Sequence, residues 1–160
     1  MDDGFDTKEV LAEVFRKCLD APTVMTPDLY LYYKGLSDRT IIVNDDITMD
    51  ILEQAVLPFE EMDRDGSNLP IHVVLQSGGG DVYTGFAFVD AIERSTSPVV
   101  IEIKGMAASM ATLIAMAGYN KPTVKTVCGS FSVGLLHGGS AIMEGSVSQL
   151  KDTWKFSERY

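Results

Sequence analysis

The sequence predicts an α/β fold with a mainly parallel sheet, and three observations lead to this prediction. Short apolar segments rich in β-branched residues recur along the chain, as is typical of buried strands. Segments with helical periodicity separate them, and strands that alternate with helices need crossover connections, which make neighbouring strands parallel. The 160 residues are 46% hydrophobic and 22% charged, which is ordinary for a globular protein and sufficient for one core.

Residues 1–28 are predicted to form an amphipathic helix followed by a linker. Between residues 7 and 20 the apolar side chains recur every three or four positions and share one face: Val10, Leu11, Val14, Phe15, Cys18 and Leu19. Pro22 and Pro27 indicate a linker over residues 21–28. Residues 29–160 are predicted to form the single domain, which begins with a strand-like aromatic segment at 29–33.

The domain continues as strands that alternate with helices and turns. Strands are predicted at residues 40–43, 70–75, 98–103 and 124–128, and residues 131–137 are the candidate for one more. Helices are predicted around residues 51–59, 83–94, 110–117 and 147–160. Gly118 is expected to end the third of these helices.

Composition excludes several classes of function and location. The net charge of −10 argues against nucleic-acid binding, which depends on Lys and Arg that neutralise phosphates. The two cysteines, Cys18 and Cys128, do not form a disulfide framework, so we expect a reducing compartment and a cytoplasmic location. Two isolated histidines without a Cys/His cluster predict no metal site. No apolar run has transmembrane length, and the acidic N-terminus is not typical of a signal peptide.

Ser109 lies where a predicted strand turns sharply into a helix. Its hydroxyl would therefore lie at the positive end of the helix dipole, which stabilises a developing negative charge. Gly105, Ala107 and Ala108 are small, so another backbone or a substrate can approach closely. The same pattern also fits a serine that only caps the helix, and spacing alone does not distinguish the two.

Three chemically distinctive segments follow three strands of the predicted sheet: residues 77–81, residues 105–110 and the segment around His137. Because sites in open α/β sheets lie at the carboxyl ends of strands, these segments are expected to meet. A neutral imidazole can accept a serine proton, and a glycine-rich loop can present N–H donors to an oxyanion. Each segment also has a simpler interpretation: a tight turn at 78–80, a structural His137, and an Asp81 that caps a helix. His72 lies on an apolar strand and is interpreted as structural.

Four motifs in combination resemble the proteolytic subunit of the Clp protease (ClpP) family over about residues 36–150. The resembling segments are residues 36–42 (LSDRTII), 77–80 (SGGG), 105–110 (GMAASM) and 136–139 (LHGG). The resemblance implies a crotonase-like spiral of ββα units, with a handle helix at the C-terminus. It also implies a serine endopeptidase in which Ser109 is the nucleophile, His137 the general base, and Gly79 and Met110 the oxyanion-hole amides.

The resemblance carries further expectations about partners. It implies a polypeptide substrate, a homo-oligomeric ring of seven or fourteen subunits, a Clp ATPase as a partner, and no cofactor. The axial-loop segment typical of the family is not recognisable here, which makes the ATPase partnership less expected. The alternatives that stay open are a phage-type head-maturation peptidase of the same fold, a catalytically silent ring subunit, and a crotonase-type acyl-CoA enzyme.

Other departures from the family concern the site itself. Gly78 replaces a proline, and Asp81 replaces a small or apolar residue. No residue matches the aspartate of the family's triad, which lies beyond the handle helix, so the chain is expected to be a fragment of a longer protein. Neither Asp81 nor Asp152 is expected to substitute for that acid.

Overall fold

The computed structural model describes residues 26–137, and the elements in this range confirm most of the predicted order. The strands are β1 (Thr40–Val43), β2 (Ile71–Ser77), β3 (Val99–Ala108), β4 (Val124–Cys128) and β5 (Val133–Leu135). The α-helices are α1 (Pro27–Ser37), α2 (Leu57–Arg64), α3 (Val82–Arg94) and α4 (Met110–Ala115), and a π-helical segment (Leu52–Val56) leads into α2. The predicted helices at 7–20 and 147–160, the second being the expected handle, lie outside the described residues.

All described strand pairs are parallel, which confirms the α/β prediction. The strand order is β1-β2-β3-β4, and β5 pairs with β3 beyond the end of β4. This second pairing explains why β3 continues through Ala108, beyond the predicted end at residue 103. The carboxyl ends of β2, β3 and β5 therefore lie side by side.

Helices α2, α3 and α4 pack on one face of the sheet and enclose the core with it. Along β2, the side chains of Ile71, Val73 and Leu75 are fully buried, whereas His72 on the opposite face is exposed. Phe59 of α2 and Phe88 of α3 meet edge to face with their ring centroids 5.7 Å apart. In α4 the buried side chains include Met110, Ala111, Ile114 and Ala115, so the helix that follows Ser109 is anchored in this core.

The strand-like interpretation of residues 29–33 is wrong, because these residues lie within α1. The helix begins with a capping residue, Thr26, whose hydroxyl accepts a hydrogen bond from the Leu29 N–H, and with Pro27 in the first turn. Asp28 in the first turn and Lys34 in the last turn complement the helix dipole. These end signals determine the structure of a segment whose tyrosines alone suggest a strand.

Candidate active site

The glycine-rich loop between β2 and α3 is held by the backbone of Ile47. The Ile47 N–H donates to the Gly79 carbonyl (2.8 Å), and the Asp81 N–H donates to the Ile47 carbonyl (2.7 Å). Gly80 has φ +147°, and a Cβ at this position would lie 2.3 Å from the Ile47 carbonyl oxygen. Only glycine fits at this position, so the close contact between the loop and the Ile47 backbone requires Gly80.

Gly79 packs directly against the turn that carries Ser109. A Cβ added at Gly79 would lie 2.6 Å from the Ser109 Cβ, 2.7 Å from the Ala108 carbonyl oxygen and 3.0 Å from the Met110 nitrogen. The backbone at Gly79 also has φ +100°, a conformation that favours glycine. Three of the four residues predicted for the site, Gly79, Ser109 and Met110, therefore lie together at the carboxyl ends of β2 and β3.

Ser109 occupies a strained turn between β3 and α4. Its φ of 55° and ψ of −123° lie in a region that non-glycine residues rarely adopt, at a cost of about 1–3 kcal/mol. Ser109 is the N-cap residue of α4, but its side chain makes no capping hydrogen bond. The interpretation of Ser109 as a simple helix cap is therefore not supported. The half-buried hydroxyl is not used to satisfy the helix terminus.

The segment that carries His137 is attached to the same turn. The Ser109 N–H donates to the Leu135 carbonyl (2.7 Å), and Ala108 pairs with Leu135 in the β3–β5 register. His137 is exposed and follows Leu135 by two residues, which is roughly 7 Å of extended chain. The topology thus brings the candidate base to the neighbourhood of the candidate nucleophile.

The second histidine lies at the other end of the sheet. His72 pairs in register with Thr40 and Val100, near the start of β2. It precedes Ser77 by five residues, which corresponds to roughly 16 Å along an extended strand. This position is consistent with its exclusion from the candidate site.

Ser77 is a contact of the site that the sequence did not predict. Its hydroxyl is buried, with 3% of the residue exposed, and accepts a hydrogen bond of 3.1 Å from the Gly79 N–H. The Ser77 hydroxyl therefore orients the Gly79 N–H, which is one of the two amides predicted to bind an oxyanion. An incoming oxyanion must share the Gly79 N–H with Ser77 or displace it.

Asp81 caps α3, as one of the two interpretations of this residue predicted. Its carboxylate accepts a hydrogen bond of 2.7 Å from the Thr84 N–H, and this bond is the main reason that the pKa of Asp81 lies below its usual value. Because the carboxylate is occupied at the helix terminus, it is poorly placed to orient an imidazole.

Two features are absent from the described part of the chain, a metal-binding cluster and a membrane-spanning helix. Within 26–137 no group of three or more His, Cys, Asp or Glu side chains is arranged to hold a metal ion. In the same range no helix has both the length and the apolar character needed to cross a bilayer.

Comparison with known proteins points to one family. Residues 27–156 match the family model described as Clp protease. ATP-dependent Clp protease proteolytic subunits from Ligilactobacillus salivarius and Bdellovibrio bacteriovorus are 32% identical to the chain over 88 residues, and the subunit from Streptococcus gordonii is 31% identical over 88 residues. These matches cover 55% of this chain and 45%, 42% and 45% of the three relatives, respectively. The matched segment thus spans less than half the length of each relative.

Proposed function

The chain belongs to the Clp protease family, and we propose that it is a serine endopeptidase subunit that hydrolyses unfolded polypeptides inside an oligomeric chamber. The observation that carries the proposal is the packing of Gly79 against both Ser109 and the Met110 amide at the carboxyl ends of β2 and β3. A half-buried serine beside two candidate N–H donors is the arrangement that acyl transfer requires. The strained backbone at Ser109 adds support, because such strain is concentrated at functional sites.

In the proposed mechanism the Ser109 Oγ attacks the carbonyl carbon of the scissile peptide bond while His137 removes the hydroxyl proton. The negative charge that develops on the carbonyl oxygen is stabilised by the N–H groups of Gly79 and Met110. The tetrahedral intermediate collapses as His137 donates the proton to the leaving amine, and the acyl group stays on Ser109. Water activated by His137 then hydrolyses the acyl-enzyme. No residue of the chain is assigned the role of the triad acid.

The assembly and the partners are part of the same proposal. Helix α1 presents an exposed apolar surface that suits contact between subunits of a homo-oligomeric ring: Leu29, Tyr30, Leu31 and Tyr33. The relatives are named as ATP-dependent, so a Clp ATPase is the proposed partner that delivers unfolded polypeptide. We also propose a cytoplasmic location, and a division of the chain into an N-terminal segment, 1–28, and a protease domain, 29–160.

The proposal is tested by incubating the protein with unstructured casein and with short fluorogenic peptides, and by identifying the products by mass spectrometry. New peptide termini, formed without any metal or organic cofactor, are expected. An assembled ring that cleaves neither substrate would indicate a silent ring subunit. Turnover of acyl-CoA thioesters without peptide cleavage would indicate the crotonase-type alternative, and full activity without any ATPase would favour a maturation-type peptidase.

Replacing Gly79 by alanine should inactivate the enzyme, because the new methyl group would overlap the Ser109 Cβ and displace the loop amide. The expected loss in kcat/KM is about 10²–10³-fold, the effect of removing one oxyanion-hole donor. Gly78→Ala is the matched control, since the nearest atom to a Cβ at Gly78 is the Asp46 Oδ1 at an ordinary 3.7 Å. The test is to measure kcat/KM for both variants. A similar loss of kcat/KM in Gly79→Ala and Gly78→Ala would argue against an oxyanion role for Gly79.

A further inference from the structure

Thr112 links the strand that precedes Ser109 to the strand that precedes His137, a contact that the proposed mechanism does not include. Its hydroxyl oxygen lies 2.8 Å from the Ala107 carbonyl oxygen and 2.8 Å from the Leu135 carbonyl oxygen. Ala107 belongs to β3 and Leu135 to β5, so the carbonyls of two neighbouring strands share the single proton of one hydroxyl group on α4. The Leu135 carbonyl also accepts the hydrogen bond from the Ser109 N–H.

Few other interactions fix the carboxyl end of strand β5, which the Thr112 hydroxyl contacts. Strand β5 contains three residues, Val133–Leu135, and all three are exposed in the described part of the chain. Apolar burial within this range therefore contributes little to its position, and hydrogen bonds to β3 and α4 carry most of the attachment. Helix α4, in contrast, is anchored by side chains that are at least nine-tenths buried, including those of Met110 and Ile114.

We propose that Thr112 is a positioning residue that fixes the end of β5 and thereby places the His137 imidazole relative to the Ser109 hydroxyl. The effect is transmitted along a short path: the Thr112 hydroxyl fixes the Leu135 carbonyl, and His137 follows two residues later. Small displacements of a catalytic base have large kinetic consequences, because proton transfer requires hydrogen-bond distance and alignment. This inference rests on the proposed function, in which His137 removes the proton from Ser109.

The chain offers a matched control at the other end of the same strand. The Ser132 hydroxyl donates to the Ile103 carbonyl (3.0 Å) and accepts from the Gly129 N–H (3.1 Å). Ser132 and Thr112 thus both attach β5 to β3 through a side-chain hydroxyl. Ser132, however, precedes His137 by five residues, and its hydroxyl bonds to Ile103 and Gly129 rather than to the Leu135 carbonyl.

The kinetic test compares the Thr112→Val, Thr112→Ser and Ser132→Ala variants of the protein. Thr112→Val keeps the shape of the side chain without the hydroxyl, and it should lower kcat about tenfold or more with little change in KM. Thr112→Ser retains the hydroxyl and should restore kcat, whereas Ser132→Ala should leave kcat near the unsubstituted value. A decrease in kcat of similar size for Thr112→Val and Ser132→Ala would overturn the proposal, as would failure of Thr112→Ser to restore activity.

A second measurement does not depend on peptidase activity. The chain contains two histidines, so the imidazole NMR signals of His72 and His137 can be assigned by substitution, and His72 serves as an internal reference. Thr112→Val should shift or broaden the His137 signals and leave those of His72 unchanged. Unchanged His137 signals would overturn the positioning role, whereas an inactive unsubstituted protein with the expected NMR change would refute the proposed peptidase function alone.

Discussion

We expect the replacement of Ser109 by alanine to abolish both peptide hydrolysis and covalent labelling by a fluorophosphonate probe. The Ser109 Oγ is the only atom assigned to form the acyl-enzyme, so its removal leaves only oxyanion stabilisation and substrate binding. Loss of the nucleophile in a serine–histidine mechanism lowers kcat by about 10⁶-fold. Peptidase kinetics and in-gel detection of the probe measure the two effects.

Two further variants separate loss of chemistry from loss of structure. Ser132→Ala removes another hydroxyl that contacts β3, at the start of β5 and away from Ser109, and should keep both activity and labelling. Ser109→Gly should be as inactive as Ser109→Ala. Its free energy of unfolding should be about 1 kcal/mol higher than that of Ser109→Ala, because glycine adopts φ 55° without strain. The Ser109 assignment would have to be abandoned if Ser109→Ala were still labelled.

The sequence predicted those features of the fold that depend on local pattern. Strands β1 and β4 occupy the predicted residues, because short β-branched segments between turns leave little ambiguity. Helix α3 begins one residue before the predicted start, at Val82, because Asp81 caps it. The strand prediction for the tyrosine-rich segment is wrong, because the capping signal at Thr26 and Pro27 starts helix α1 there and outweighs the strand propensity of the tyrosines.

The approach of the three loops was predictable because parallel strands place their carboxyl ends at the same edge of the sheet. The contacts that hold the loops together were not predictable, since each depends on the register of residues far apart in the chain. The Thr112 bridge requires Ala108 to pair with Leu135, and the Gly80 contact requires Ile47 to lie beside the loop. In the turn between β2 and α3, the Gly79 N–H likewise donates a hydrogen bond to the Ser77 hydroxyl. A serine followed by glycines does not by itself predict this bond.

Helix α4 illustrates a packing constraint of the same kind. A Cβ at Gly85 of α3 would lie 2.2 Å from the Met110 Cγ, so the absence of a side chain at Gly85 provides the space for the Met110 side chain. The Met110 backbone begins the helix that follows Ser109, and its buried side chain fixes the orientation of that helix against α3. A glycine inside a helix usually costs stability, and here it determines the geometry of the candidate site.

His137→Ala is expected to lower kcat by about 10⁴-fold or more, the effect of removing the base from a serine–histidine mechanism. The physical reason is that the Ser109 hydroxyl is a weak nucleophile unless a neighbouring group removes its proton. The Ser109 N–H bond to Leu135 brings the His137 segment to the nucleophile. Among the described residues no other histidine lies near this end of the sheet. The rate of peptide hydrolysis by the variant, compared with that of the unsubstituted protein, measures the loss.

His72→Ala provides the matched control for this last variant, because it removes an exposed imidazole from the distant start of β2. It should leave kcat nearly unchanged, while His137→Ala keeps the same thermal midpoint as the unsubstituted protein. Fluorophosphonate labelling of Ser109 should also slow in His137→Ala, since the probe needs the activated hydroxyl. If His72→Ala were the more damaging substitution, the base would be misassigned and the site would have to be rebuilt around the other end of the sheet.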